Sequence, residues 1–162
     1  MSDSRQLIVL SGAAVDLWEE EFVRNVEWRD NIPVRGSIGV FFGVTQDIGN
    51  LFHETCGGNM DRFKQALLRC VQAESVSQLM KFYELAEGGT QEFFIKKGIV
   101  PMYLVRRIGH YRYFGGKRYP HRISFEFIRF ANDEEKKPLK GIGIKTIAQV
   151  HTKHGTLTEL LE

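Results

Sequence analysis

Two histidines bracket the part of this chain best equipped for chemistry. His110 and His121 flank Tyr111-Arg112-Tyr113-Phe114-Gly115-Gly116-Lys117-Arg118-Tyr119-Pro120, in which rings alternate with cations. An imidazole base, an imidazole acid and a Lys or Arg to stabilise a developing phosphorane are the parts of a metal-independent nuclease. The same residue types have a non-catalytic use. Aromatic faces stack on unpaired bases while cations neutralise phosphates, as in single-strand binders. Histidines beside a basic hairpin more often touch phosphate or solvent, so binding is the leading reading. No catalytic residue is assigned, His110 and His121 being the nearest candidates. The expected nucleic-acid contacts here are Arg106, Arg107, Tyr111, Arg112, Tyr113, Lys117, Arg118, Tyr119 and Arg122.

A second string lies near the C-terminus: Leu139-Lys140-Gly141-Ile142-Gly143-Ile144-Lys145-Thr146-Ile147-Ala148. Glycine permits a tight turn and lets a phosphate approach the backbone. Amides exposed at the start of a following helix favour anions, and Lys145 would add a cation. The spacing excludes a Walker phosphate loop, and no third glycine completes a dinucleotide fingerprint. With the later Gly155-Thr156-Leu157 step, the string resembles the helix-hairpin-helix DNA-binding motif of the flap-endonuclease and 5′-exonuclease families over about residues 139–161. That resemblance implies a sequence-independent grip on a DNA backbone and places further contacts on Gly141, Gly143, Lys145 and Thr146. The clustered metal-binding aspartates of those nucleases have no counterpart, since Glu92 and Glu126 are the only acids between Gly88 and Phe130. Nuclease activity is therefore not implied.

Other clusters are bland. His151 and His154 would share a helix face but have no third ligand, and His53, Glu54 and Cys56 have no second cluster to complete a zinc site. No metal and no cofactor is expected. Cys56 and Cys70 read as two buried thiols in a reducing compartment.

The elements that must position these groups follow from periodicity. Gln6 to Leu10 suits a short strand, and Ala13 to Val26 an amphipathic helix ended near Pro33. Ser37 to Val44 reads as a buried strand. Helices are expected over Asp47–Thr55, Met60–Ala73 and from Ser75 to Gly88, with another starting at Thr90 and a further turn from Pro101 to Ile108. Tyr111–Phe114 and Ile123–Phe130 form strands around a Gly-Gly loop. The expected fold is thus α+β, with a mostly helical N-terminal part, a small antiparallel sheet near 111–130 and a C-terminal helix-hairpin-helix-like unit. Residues 1–130 form one domain, 131–138 a charged connector and 139–162 the last unit.

The charge distribution points the same way. Residues 1–60 carry nine acids and four bases, whereas residues 96–130 carry nine bases and one acid. The small overall surplus of +2 therefore sits in one 35-residue stretch, which favours a polyanion. The opening residues lack a secretory signal, and no apolar run approaches the roughly 18 residues a membrane helix needs. The sequence is read as intracellular, cytoplasmic or nuclear, without a membrane partner. The function expected is a non-catalytic nucleic-acid-binding accessory protein, with DNA or RNA as partner and the acidic N-terminal half facing another protein. Two alternatives are a protein-interaction subunit or inhibitor using the basic hairpin on an acidic protein, and a small metal-independent nuclease.

Overall fold

The computed structural model describes residues 5–11, 22–88, 92–97, 100–136 and 147–152. Strand β1 (Arg5–Ser11) is followed by a 3-10 turn (Val23–Asn25) and strands β2 (Val26–Arg29) and β3 (Ile32–Val40). Then come α1 (Ile48–Asn50), which runs into a π-helical turn (Leu51–Thr55), α2 (Met60–Leu68) and α3 (Ala73–Glu87). Strands β4 (Glu92–Lys97), β5 (Val100–Tyr113), β6 (His121–Phe130) and β7 (Ile147–Thr152) complete the order. All seven strands join one sheet in the order β2-β3-β6-β5-β4-β1-β7. β1 runs parallel to β4, and the other pairings are antiparallel.

Local chemistry explains the main joints. β2 and β3 are linked by Asp30-Asn31, both left-handed at φ 51° and 64°, the conformation a two-residue type I′ hairpin requires. Pro33 sits beside the register shift between Glu27 and Trp28, and Pro101 faces Lys96 at the shift between Ile95 and Lys96. A proline without an N–H is tolerated at such irregular rungs. Asp47 caps α1 by accepting from the Gly49 and Asn50 amides, and Asn59 caps α2 by accepting from Arg62.

The core lies between helices and sheet. Phe63 and Leu67 of α2 and Val76, Leu79, Phe82, Tyr83, Leu85 and Ala86 of α3 are buried with Ile38, Val40, Phe93, Ile95, Val105, Ile123 and Phe125 of the strands. Phe22 stacks on Tyr103 and Phe125, with ring centroids at 5.6 and 6.1 Å. At the C-terminal end of α3, the Arg107 guanidinium donates to the Leu85 and Gly88 carbonyls at 2.6 and 2.9 Å. A cation there answers the negative end of the helix. No helix among the described residues is long and apolar enough to cross a membrane.

The expected architecture needs correction. In place of a mostly helical N-terminal part and a small sheet near 111–130, a seven-stranded sheet organises the molecule, five of its strands (β2-β3-β6-β5-β4) antiparallel throughout. The helix expected from Thr90 and the turn from Pro101 are the strands β4 and β5. Phe93, Phe94, Ile95 and Lys96 are all buried. A run covered on both faces carries no period that separates strand from helix. The helix expected after the Gly-Ile-Gly turn is also absent over Ile147–Thr152, which pairs with β1 as strand β7. The expected Ala13–Val26 helix falls mostly outside the described residues, and Val26 itself opens β2. The helices expected near 47–55, 60–73 and 75–88 correspond to α1 with its π turn, a shorter α2, and α3.

Candidate nucleic-acid interface

β5 and β6 meet in a loop over residues 114–120, closed by the Phe114 amide donating to the Pro120 carbonyl at 2.9 Å. Lys117 donates its amide to the Phe114 carbonyl at 3.2 Å, and Gly116 takes a left-handed φ of 85° that lets the tip turn. Beside this tip lies a hollow of about 650 Å³. Phe41, Tyr113 and Tyr119 line it together with Thr45, Lys117 and Arg118. Phe41 directly follows the buried end of β3 and is itself 38% exposed.

What holds Phe41 there is a chain of hydrogen bonds through His121. Its Nε2–H donates to the Val44 carbonyl at 2.8 Å, so its Nδ1 is the acceptor for the Tyr111 hydroxyl at 2.7 Å. The Tyr111 oxygen in turn accepts from the Ile48 amide at 3.2 Å. The loop between β3 and α1 is thereby tied to β6 at Val44, and the first residue of α1 to β5 at Ile48. The tie holds a loop with two successive left-handed residues, Phe42 (φ 54°) and Gly43 (φ 81°). For a ring-bearing residue that is an uncommon conformation, and it persists where surrounding contacts enforce it. Burial pushes the His121 imidazole below its ordinary pKa, against smaller upward pulls from the Val44 bond and Asp47. The histidine is therefore neutral and in one fixed tautomer. Burial also raises the Tyr111 hydroxyl far above its usual range, and it pushes the neighbouring Tyr83 hydroxyl up to about 12.

This arrangement sorts the residues singled out from the sequence. His121 is fully buried and committed on both nitrogens, while His110 is exposed with its Nδ1 2.8 Å from the Glu87 carboxylate. An acid–base pair of these two would need His121 to reach a substrate, and its place inside the hydrogen-bond chain prevents that. Tyr111 is likewise internal, packed against Tyr83 and His121. Tyr113 is shared: its ring lies 5.4 Å from that of His121 and also lines the hollow.

The cations divide as clearly. Arg106 pairs with Glu126 and Glu92 at 3.4 and 3.7 Å, and Arg107 caps α3. Arg122 is buried, donating to the Ser37 hydroxyl, the Ser37 carbonyl and the Tyr119 carbonyl at 2.8, 2.9 and 3.0 Å. Room for it comes from Gly39, where a Cβ would sit 2.5 Å from the Arg122 Nη1 and 2.7 Å from the Tyr119 carbonyl. Arg129 is bidentate on the buried Glu135, at 2.6 and 3.0 Å. Lys96 is buried in β4, and its burial lowers its pKa to about 8. Five of the nine bases in residues 96–130 are thus either buried or held by partners within the protein. Arg112, Lys117 and Arg118 remain exposed around the hairpin, Arg112 over the Phe114 ring at 4.9 Å and Arg118 over Tyr119 at 5.9 Å.

Gly141, Gly143, Lys145 and Thr146 lie outside the described residues, as does His154, while His151 falls on strand β7. Cys56 is buried as expected, whereas Cys70, expected to be buried, is exposed just beyond α2 with its thiol on the Ala66 carbonyl at 3.6 Å. His53 is 3.3 Å from the Tyr83 hydroxyl, and among the described residues no three His, Cys, Asp or Glu side chains cluster to hold a metal. Sequence reasoning missed Phe41 and Thr45. Their one signal was an aromatic pair directly before Gly43, which is easily taken for the end of a buried strand. Comparison with family models, with curated proteins and with solved structures found no match to this chain.

Proposed function

We propose that this protein binds nucleic acid without cleaving it, taking an unpaired stretch at the β5–β6 hairpin. The observation that carries the reading is the hollow itself: three aromatic residues, Phe41, Tyr113 and Tyr119, line one space together with Lys117 and Arg118. A base stacks in such a space through its π-face whatever its identity, and the flanking phosphates meet the cations. Arg112 extends the positive edge along β5. The locked neutral His121 supports binding over catalysis, because it positions the loop that carries Phe41 and Thr45 instead of moving protons.

The test is an anisotropy titration against single-stranded DNA, single-stranded RNA and duplex DNA. Single strands are expected to bind more tightly than duplex. Lys117→Gln with Arg118→Gln should shallow the log–log salt slope by about 1.4, two contacts at roughly 0.7 each. Tyr119→Ala should weaken single-strand binding by about 1–3 kcal/mol, the usual worth of one stacked base. Affinity unchanged in both variants would end the reading.

A further inference from the structure

A second depression, of about 410 Å³, lies between α2 and the π turn, bordered by Thr55, Cys56, Asp61, Arg62, Gln65 and Arg69. The same loop that walls the first hollow reaches toward it. Phe41 and Thr45 line the hairpin hollow, and Gly43 and Gln46 of the same loop approach the segment after α2. A Cβ at Gly43 would lie 3.3 Å from Val71 Cγ1, and the Gln46 amide nitrogen is 3.9 Å from the Cys70 sulfur. Arg69 adjoins Cys70 in the chain. The 41–47 loop therefore meets the C-terminal end of α2 beside Arg69, and Arg69 borders the depression together with Arg62.

The two arginines are unevenly explained by the helix they sit on. Arg69 caps the C-terminal end of α2, where the helix dipole favours a cation. Arg62 stands in the first turn, where the dipole disfavours one, and Asp61 already answers the positive end. Both guanidiniums are exposed, and neither forms an ion pair with a carboxylate among the described residues. Seven residues apart, they are separated by about 10 Å along the axis, two helical turns, a distance that several successive phosphates would cover. Thr55 and Gln65 add neutral hydrogen-bond donors to the same depression.

Resting on the reading of the hairpin hollow given above, we propose that the bound single strand continues from that hollow across the 41–47 loop and lays its backbone along α2, with Arg62 and Arg69 as phosphate contacts. The hollow holds one end of the site, and α2 sets its length. An acidic protein segment is the competing occupant of the α2 surface, and the experiment separates it.

Binding is measured for the full chain against a ~4-nucleotide and a ~16-nucleotide single strand, the two ends of the usual site-size range. Arg62→Gln with Arg69→Gln should leave the short strand unaffected, weaken the long one about tenfold and shallow its salt slope by about 1.4. Lys117→Gln with Arg118→Gln should weaken both strands. If the α2 pair leaves the long strand and its slope unchanged while the hairpin pair weakens both, the extended path is overturned and the hollow stands. If the hairpin pair changes neither strand, the reading of the hollow falls and takes the path with it. Polyglutamate displacing the long strand as well as unlabelled strand does, through Arg62 and Arg69, would overturn the path in favour of a protein segment. Thermal melting equal to the parent confirms that each exposed double variant is folded, and Arg62→Lys with Arg69→Lys should restore most of the long-strand affinity.

Discussion

At the scale of single residues, His121 shows how far a side chain's role depends on its surroundings. In the sequence it stands beside tyrosines and cations as a candidate acid or base, and in the fold both of its nitrogens hold other groups in place. Its lowered pKa makes a prediction with a definite sign. A histidine kept neutral in the folded state contributes stability that is fully present above the unfolded value of about 6.5. That stability is lost as pH falls from there toward the folded value. The parent should therefore lose stability in denaturant melts between neutral and mildly acid pH. His121→Gln should be less stable at neutral pH by about 1–3 kcal/mol, the cost of leaving a buried partner unsatisfied. The gap between the two should narrow as the pH drops, and a constant gap would contradict the assignment. Gly39 gives a steric counterpart. Its Cβ would collide with the pinned Arg122 and the Tyr119 carbonyl, so Gly39→Ala should cost about 1–3 kcal/mol by overpacking. Loss of single-strand affinity should accompany it, because Tyr119 is displaced.

At the scale of elements, ends and joints carry information that periodicity lacks. Arg107 supplies the cation that the last turn of α3 does not contain, so Arg107→Ala should destabilise the protein by about 1.5–3 kcal/mol in a urea melt, as for hydrogen bonds made by a charged group. A result within experimental error would mean that the two carbonyls find water instead. The Asp30-Asn31 turn offers an independent check. Asn31→Gly should be neutral or stabilising, whereas Asn31→Val should cost at least about 1–2 kcal/mol because a branched side chain resists a left-handed φ. These joints also show what was legible in the sequence. α2 and α3 were readable because Phe63 and Leu67, then Leu79, Phe82 and Tyr83, recur at helical spacing beneath polar neighbours. The 111–114 and 123–130 strands were readable from their alternation and the glycine pair between them. β4 and the start of β5 were not, since burial on both faces erased their period and Pro101 masqueraded as a breaker. The hairpin part of the proposed site stood out in the sequence as rings among cations. Its other wall did not, because Phe41 reaches the hollow only through a left-handed Phe42 and a hydrogen bond from a residue 77 positions away. Nor did the chain announce that Arg107 and Arg122 serve the fold, for a cation's partner is a matter of tertiary contact.

At the scale of the whole molecule, pairings near in sequence coexist with distant ones. β4, β5 and β6 form a meander of short connections, whereas β3 finds β6 across more than eighty residues, as in the pairing of Ile38 with Ile123. Those two buried isoleucines face each other across one rung and differ mainly in how soon their strands can meet. Closing a long loop costs entropy before its contacts form, so local pairings are favoured in the folding transition state. Ile123→Ala and Ile38→Ala should each cost about 2–5 kcal/mol at equilibrium, enough for reliable kinetic comparison. In stopped-flow refolding, Ile123→Ala should mainly slow folding, whereas Ile38→Ala should mainly speed unfolding. Equal partition for both would mean that β3 docks with the meander in a single step. The order matters for the site, because the meander carries the hairpin cations and Tyr113 and Tyr119, while β3 delivers Phe41 and Thr45. A transition state without β3 has a charged tip and no closed hollow. If the proposed single-strand binding holds, variants that weaken only the docking of β3 should then keep its salt-dependent share while losing the stacking share, a separation readable from Ile38→Val by titrating one strand at low and high salt.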